Sequence, residues 1–170
     1  MKKICKPLIE VIAERRNFEI RKTVRGIIRK DGKILLVYSK KFDDYMFPGG
    51  HMKKEKKRDA LRRELKEEVG CNGIEILGYY GRIIEKRYSN KDNVLVKQIS
   101  YYYLCDIDEI GEQALEEDEI KYGVKPIWIK IDDAIKHNES AMLNIKHQQA
   151  GLRTVLKREV MVLKKLRGEK

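Results

Sequence analysis

The sequence predicts a mixed α/β fold: a sheet that opens with a hairpin, receives a helix, and is then continued by further strands. Three observations predict it. Two β-branched runs within residues 23–38 flank Asp31-Gly32, a strong hairpin turn pair. A helical period follows at about 55–69 and stops at Gly70. Strand patterns then resume before a final helical stretch, an order that calls for helices packed on a mixed sheet.

Taken in order, the first two runs sit either side of Arg29-Lys30-Asp31-Gly32-Lys33, and Ile34–Tyr38 leads toward Phe47-Pro48-Gly49-Gly50. Beyond the helix, strands are expected at Ile74–Tyr80, Arg82–Tyr88 and Val94–Asp106. The run Ser89-Asn90-Lys91-Asp92-Asn93 is turn chemistry between the last two. Alternation puts Tyr101 and Tyr103 on one face of its strand and Tyr102 on the other. A short strand at Pro126–Ile131 carries Trp128, and a helix is expected from Asp132 to about His137. A last helix runs from about Ile145 to Leu166, with Leu152, Val155, Leu156, Leu163 and Leu166 as its apolar stripe. That stripe could serve a homodimer, but packing on its own sheet is the simpler use.

The 170 residues suit one domain, and no repeat or linker divides them. Residues 1–170 are therefore taken as a single domain, with the first ~20 residues and the C-terminal helix as extensions packed on it. No apolar run approaches the roughly 18–20 residues that span a bilayer. Lys6, Pro7 and Glu10 interrupt any signal-peptide core, so a cytoplasmic location is expected. Cys5, Cys71 and Cys105 are odd in number and far apart, as reduced thiols would be. His51, His137 and His147 lack the spacing of metal ligands. The net charge of +11 attracts polyanions without naming one. Against that balance, Asp106 to Glu119 holds acidic residues and no basic one.

Chemistry concentrates between Phe47 and Gly70. A strand ends in Pro48-Gly49-Gly50, a loop follows, and then comes the helix. At 100° per residue, Glu64, Glu67 and Glu68 fall within about 100° of arc, beside the Leu61, Leu65 and Val69 stripe. Like charges at i,i+4 repel, and crowding them beside a core is costly without a cation. Hard divalent cations suit such oxygen donors. A solvated face of Glu–Arg pairs would explain the same pattern, and periodicity leaves both readings open.

The spacing G-x5-E-x7-R-E-U-x-E-E-x-G-U, with U apolar, resembles the Nudix hydrolase signature. Gly49, Glu55, Arg63, Glu64, Leu65, Glu67, Glu68, Gly70 and Cys71 fill its positions. The hairpin before it, and Trp128 ahead of Asp132-Asp133-Ala134, are also similar to that family's arrangement. The resemblance implies an α/β/α sandwich around a mixed sheet. It implies a pyrophosphohydrolase acting on a nucleoside diphosphate linked to another group: a nucleoside triphosphate, a nucleotide sugar such as ADP-ribose, or a dinucleoside polyphosphate. Glu64, Glu67 and Glu68 would ligate Mg2+ or Mn2+, with a backbone carbonyl of Gly49 or Gly50 as a further ligand. Glu64 is also a candidate base, Arg63 would orient the glutamates, and Glu55 would fix the loop. Family members often add an acid from before the tryptophan strand; among Glu116, Glu117, Asp118 and Glu119, Glu119 is preferred.

Two departures stand out. Cys71 fills the last apolar position, and Gly50 stands five residues before Glu55 where the family commonly has six; Gly49 keeps the count, but the loop is one residue short if Pro48-Gly49-Gly50 is the anchor. Arg25, Lys40 and Arg82 are candidates to hold a small nucleotide substrate. No RNA-binding module supports a nucleic-acid partner, although the basic ends would suit an enzyme of RNA 5′ ends. A non-catalytic ligand sensor is a third reading, against which the retained glutamates speak.

Overall fold

The computed structural model describes residues 2–10, 18–89 and 94–168. Within them the chain runs β1 (Leu8–Ile9), β2 (Glu19–Lys30), β3 (Lys33–Ser39), β4 (Asp44–Met46), α1 (Lys57–Val69), β5 (Ile74–Ser89), β6 (Val94–Ile107), α2 (Glu117–Tyr122), β7 (Val124–Ile129), α3 (Ile131–Ala141), α4 (Ile145–Gln148) and α5 (Val155–Arg167). The strands form a mixed sheet in the order β1-β5-β6-β2-β3-β4, with β7 paired to β3. β2 lies parallel to β6, whereas β5 and β6 are antiparallel.

Period-two alternation divides the core. Val24, Ile28, Leu35, Tyr101 and Tyr103 face Leu61, Leu65 and Val69 of α1. Ile27, Ile34, Leu36 and Tyr102 face Ala134 and Ile135 of α3 and Val160 and Leu163 of α5. The result is the expected α/β/α sandwich, and the three tyrosines split between faces as alternation requires.

The hairpin turn at Asp31 and Gly32 has both residues at positive φ, 50° and 73°, the conformation that matches strand twist. β2 and β3 then pair only at Arg29–Ile34 and Lys30–Lys33 before they separate. The N-terminal half of β2 is lined instead by the loop after β4. Val24 N–H donates to Gly50 O, Gly26 N–H to Pro48 O, and Met52 N–H to Lys22 O, at 2.8–3.0 Å. The divergence of the two strands makes the wedge in which the candidate site sits.

Several elements differ from expectation. Residues 74–89 form one strand, not two; Gly81 marks a close crossing, since a β-carbon there would stand 2.7 Å from Ile4 Cγ1. The expected helix from Ile145 to Leu166 is two, α4 and α5. Between them Gly151 gives its N–H to Glu10 and its carbonyl to Arg87, so those backbone groups serve tertiary partners, not a helix. The buried face of α5 is Leu156, Val160, Val162 and Leu163, with Arg158 and Glu159 among them. A short helix beyond those expected, α2, begins within the acidic stretch and is closed by a reciprocal capping box between Glu116 and Glu119. β1 and β4 are too short for a periodic signal. The turn expected at Ser89–Asn93 falls mostly on residues 90–93, outside the described residues. Among the described residues no helix is long and apolar enough to cross a membrane.

Candidate active site

α1 sets the geometry. Its apolar stripe packs on the sheet, and the same face carries Glu64 and Glu68, one turn apart and only 7% and 8% exposed. Both carboxylates are thus drawn into the wedge. Glu67 lies to the outer side, half-buried. Gly70 ends the helix with a left-handed φ of 74° and donates its N–H to Lys66 O.

The Pro48–Gly50 turn reaches these carboxylates with its backbone. Gly49 N–H donates to Glu68 Oε2 at 2.6 Å. A β-carbon on Gly49 would lie 2.1 Å from Val24 O, and its φ is 130°, so only glycine fits there. Buried Arg25, from β2, donates through Nη1 to Phe47 O at 2.9 Å and to Gly49 O. The Gly49 carbonyl, expected as a metal ligand, therefore already has a guanidinium partner.

Arg63 is the hub on the outer side. Nη1 reaches Glu64 Oε1 at 2.8 Å and Glu67 Oε2 at 2.9 Å. Nη2 reaches Glu55 Oε1 at 2.8 Å and His51 O at 2.9 Å, and Nε also faces Glu55. One planar guanidinium thus ties the loop to two helix carboxylates. The orienting part expected of Arg63 and the loop-fixing part expected of Glu55 have matching contacts. The long side chain of Arg63 curls back across the helix face to reach both helix carboxylates.

Burial pushes Glu68 up to about 8, and the anions of Glu119 and Glu64 add to the rise while Arg25 and the Gly49 amide oppose it. Burial also raises Glu64, with Arg63 opposing. Glu55 is held below the usual carboxylate range, chiefly by its hydrogen bonds from Arg63. Burial, together with Arg25, Arg21 and Arg87, lowers His51.

Glu119 is brought near enough for its charge to act on Glu68, while its Oε2 accepts the Glu116 N–H at 2.7 Å. Glu116 also stands 3.6 Å from Lys53. Lys40 packs under Gly123 at the end of α2. Arg82 lies on β5, beyond β6 from β2, so it does not border this wedge. Arg25 is at the site but is occupied by the loop's carbonyls.

A cavity of about 640 Å³ opens on the side of the sheet away from α1, lined by Arg21, Lys41, Phe42, Arg87, Lys146 and the Gln149–Leu152 turn. Arg21, Thr23 and Arg25 alternate onto one face of β2, so about 13 Å of strand joins this cavity to the Gly49 loop. No local pattern marks it, because its cations come from four separate segments.

Among the described residues no three His, Cys, Asp or Glu side chains form a ready-made cage. Two buried, adjacent carboxylates with a third anion acting on one of them nevertheless suit a hard cation that completes its shell with water and phosphate oxygens. The residues present fit in that sense.

The NUDIX domain profile matches residues 20–149. The chain belongs to the Nudix family. Diphosphoinositol polyphosphate phosphohydrolase 3-alpha of Mus musculus is 34% identical to this Nudix chain over 109 residues, 63% of this chain and 60% of that protein. The 3-beta protein of Bos taurus matches to the same extent. The chain thus spans about 60% of the length of these curated relatives. Among solved structures, a NUDIX hydrolase from Nitrosomonas europaea superposes with a TM-score of 0.57 at 20% identity, covering 71% of this chain and 79% of that one. The E. coli ORF135 protein gives 0.50 at 20% identity over 90% and 96%. Both are similar in fold.

Proposed function

We propose that this Nudix protein is a divalent-metal-dependent pyrophosphohydrolase that cleaves the P–O–P bridge of a small, multiply phosphorylated substrate. The observation that carries the reading is the buried pair Glu64 and Glu68 beside the Gly49-Gly50 backbone. Such a pair is costly in a folded protein unless it meets a cation. The relatives' names, diphosphoinositol polyphosphate phosphohydrolases, support a strongly anionic substrate, and the cationic cavity about 13 Å of β2 away from the Gly49 loop suits the same class. Nucleoside triphosphates, nucleotide sugars and dinucleoside polyphosphates remain within it.

In this reading Glu64 and Glu68, with Glu67 at the rim, hold Mg2+ or Mn2+, which supplies Lewis-acid stabilisation of phosphate charge when bound. Water attacks one phosphorus, its oxygen forms the new bond, and the bridge oxygen leaves with the other phosphate. Glu64 receives the water's proton, with Glu119 as the second candidate. Arg63 keeps Glu64 and Glu67 in place. Arg25 keeps the loop in place, and Lys41 and Lys146 bind the anionic remainder of the substrate, with the charges of Arg21 and Arg87 in the cavity wall behind them.

Phosphate release from a panel of these compounds, with and without Mg2+, tests the proposal. Metal-dependent turnover that is lost in Glu68→Gln supports it, and the best substrate names the class. Binding without turnover by any member overturns it in favour of a sensor.

A further inference from the structure

A second group of charges, distinct from the signature, is buried under the loop. Arg158 and Glu159 on α5 and Glu85 on β5 are 2%, 0% and 0% exposed. Arg158 Nη1 meets Glu85 Oε2 at 2.7 Å, and Nη2 meets Glu159 Oε1 at 2.7 Å. The other oxygen of Glu159, Oε2, accepts the backbone N–H of Phe47 at 2.8 Å. Phe47 precedes Pro48 and Gly49, and its carbonyl is held by Arg25. From the other end, Gln98 Nε2 donates to Glu85 at 3.4 Å and Gln98 Oε1 accepts from Arg87 at 2.8 Å, at the cavity wall. A continuous polar chain therefore joins the cavity to the start of the Gly49 turn.

Stability alone does not explain such a group. Buried ion pairs cost desolvation that their attraction barely recovers, and apolar residues of similar volume often replace them without loss. What an apolar residue cannot do is accept the Phe47 N–H, which would be left buried and unpaired.

We propose that Glu159 and Arg158 are positioning residues for the active site. Glu159 fixes the Phe47 amide, Arg158 and Glu85 fix Glu159, and the anchored turn presents the Gly49 N–H to Glu68. The catalytic consequence rests on the function proposed above; the anchoring does not.

The test uses the full chain and two variants. In one, Glu85→Leu, Arg158→Met and Glu159→Leu together replace the triad by apolar groups. The other is Glu159→Gln, which keeps an acceptor for Phe47. Amide hydrogen exchange and steady-state kinetics are read together. The apolar variant is expected to exchange the Phe47 and Gly49 amides at least tenfold faster, with Ile27 and Leu36 unchanged. Its kcat is expected to fall at least tenfold with KM within twofold. Glu159→Gln is expected to restore both to within about threefold. Should the apolar variant not fold, Glu159→Met, which leaves Arg158 paired with Glu85, carries the same readings. Unchanged exchange at Phe47 and Gly49 overturns the proposal. If the wild-type chain turns over none of the substrates, the function reading fails, and the exchange result still decides the anchoring.

Discussion

A β-carbon on Gly50 would lie 2.3 Å from Oε2 of Glu64, so the carboxylate occupies the space that any other residue at position 50 would fill. The neighbouring Gly49 is restricted differently: there the obstacle is the backbone carbonyl of Val24, at 2.1 Å, and φ is 130°. The two alanine substitutions are therefore expected to fail in different ways. Gly50→Ala displaces a side-chain end, so the protein folds while kcat falls at least tenfold. Gly49→Ala must move a strand and hold a disfavoured φ, which costs at least about 2 kcal/mol. Thermal unfolding and turnover, measured on both, separate the two effects.

Arg63 serves Glu55, Glu64, Glu67 and His51 O at once, which needs the planar fork of guanidinium. Arg63→Lys is expected to lower activity about 10–100-fold, as loss of a residue that supports ligands does. Its melting temperature should move little, because the lysine ammonium keeps a positive charge among the same carboxylates. A large drop in melting temperature with activity intact would contradict this.

Glu68→Gln should change activity and stability in opposite directions. In the metal-free protein the buried carboxylate of Glu68 has its pKa raised from 4.5 to about 8. The folded state then binds more protons than the unfolded chain between those values, so its stability falls as pH rises through the window. The amide isostere removes that loss. Urea unfolding in chelator at pH 8 should show Glu68→Gln more stable than wild type by roughly 1–3 kcal/mol, while its hydrolysis falls at least about 100-fold.

Asp44 contributes a second pH dependence away from the wedge. Burial raises its pKa from 3.8 to about 7, helped by Glu159 and Asp43 and opposed by His137 and Arg158. Its Oδ1 lacks a hydrogen-bond partner, and Oδ2 stands 3.8 Å from His147. A raised acid is more protonated in the folded state, so its stability contribution is full below about pH 4 and lost toward pH 7. Asp44→Asn should flatten the decline in melting temperature between pH 5 and 8, measured against wild type in one buffer series.

The cavity cations are assigned to binding and not to bond breaking. Lys41→Ala should raise KM about fivefold or more for the most anionic substrate and leave kcat within twofold. Added salt should narrow the difference between wild type and variant, because exposed charges are screened within about 8–10 Å at physiological ionic strength. An equal loss in kcat would move Lys41 into the reacting centre.

The helical half of the site was legible in the chain. Glu64, Glu67 and Glu68 declare their shared arc through spacing alone, and Asp31-Gly32 declares its turn. Legibility ends where contacts span distant segments. Arg25 reads as a substrate-binding cation from sequence, but its register opposite Pro48–Met52 turns it toward the loop's carbonyls. Arg158 and Glu159 lie outside the apolar stripe expected of the last helix; only the crossing of α5 over Phe47 buries them. Likewise Gly151 carries no periodic mark of its bonds to Glu10 and Arg87, so two helices read as one.

The three backbone hydrogen bonds between Pro48–Met52 and Lys22–Gly26 have a consequence for self-association. Where β2 leaves β3, a row of amides and carbonyls would face outward as an open sheet edge, a template for another chain's strand. The loop that supports Glu68 is also the guard over that edge. A variant that frees the loop exposes Val24 and its neighbours together with their unpaired backbone. Such a variant is expected to appear first as aggregate in a concentrated preparation, before it is recognised as a slow enzyme.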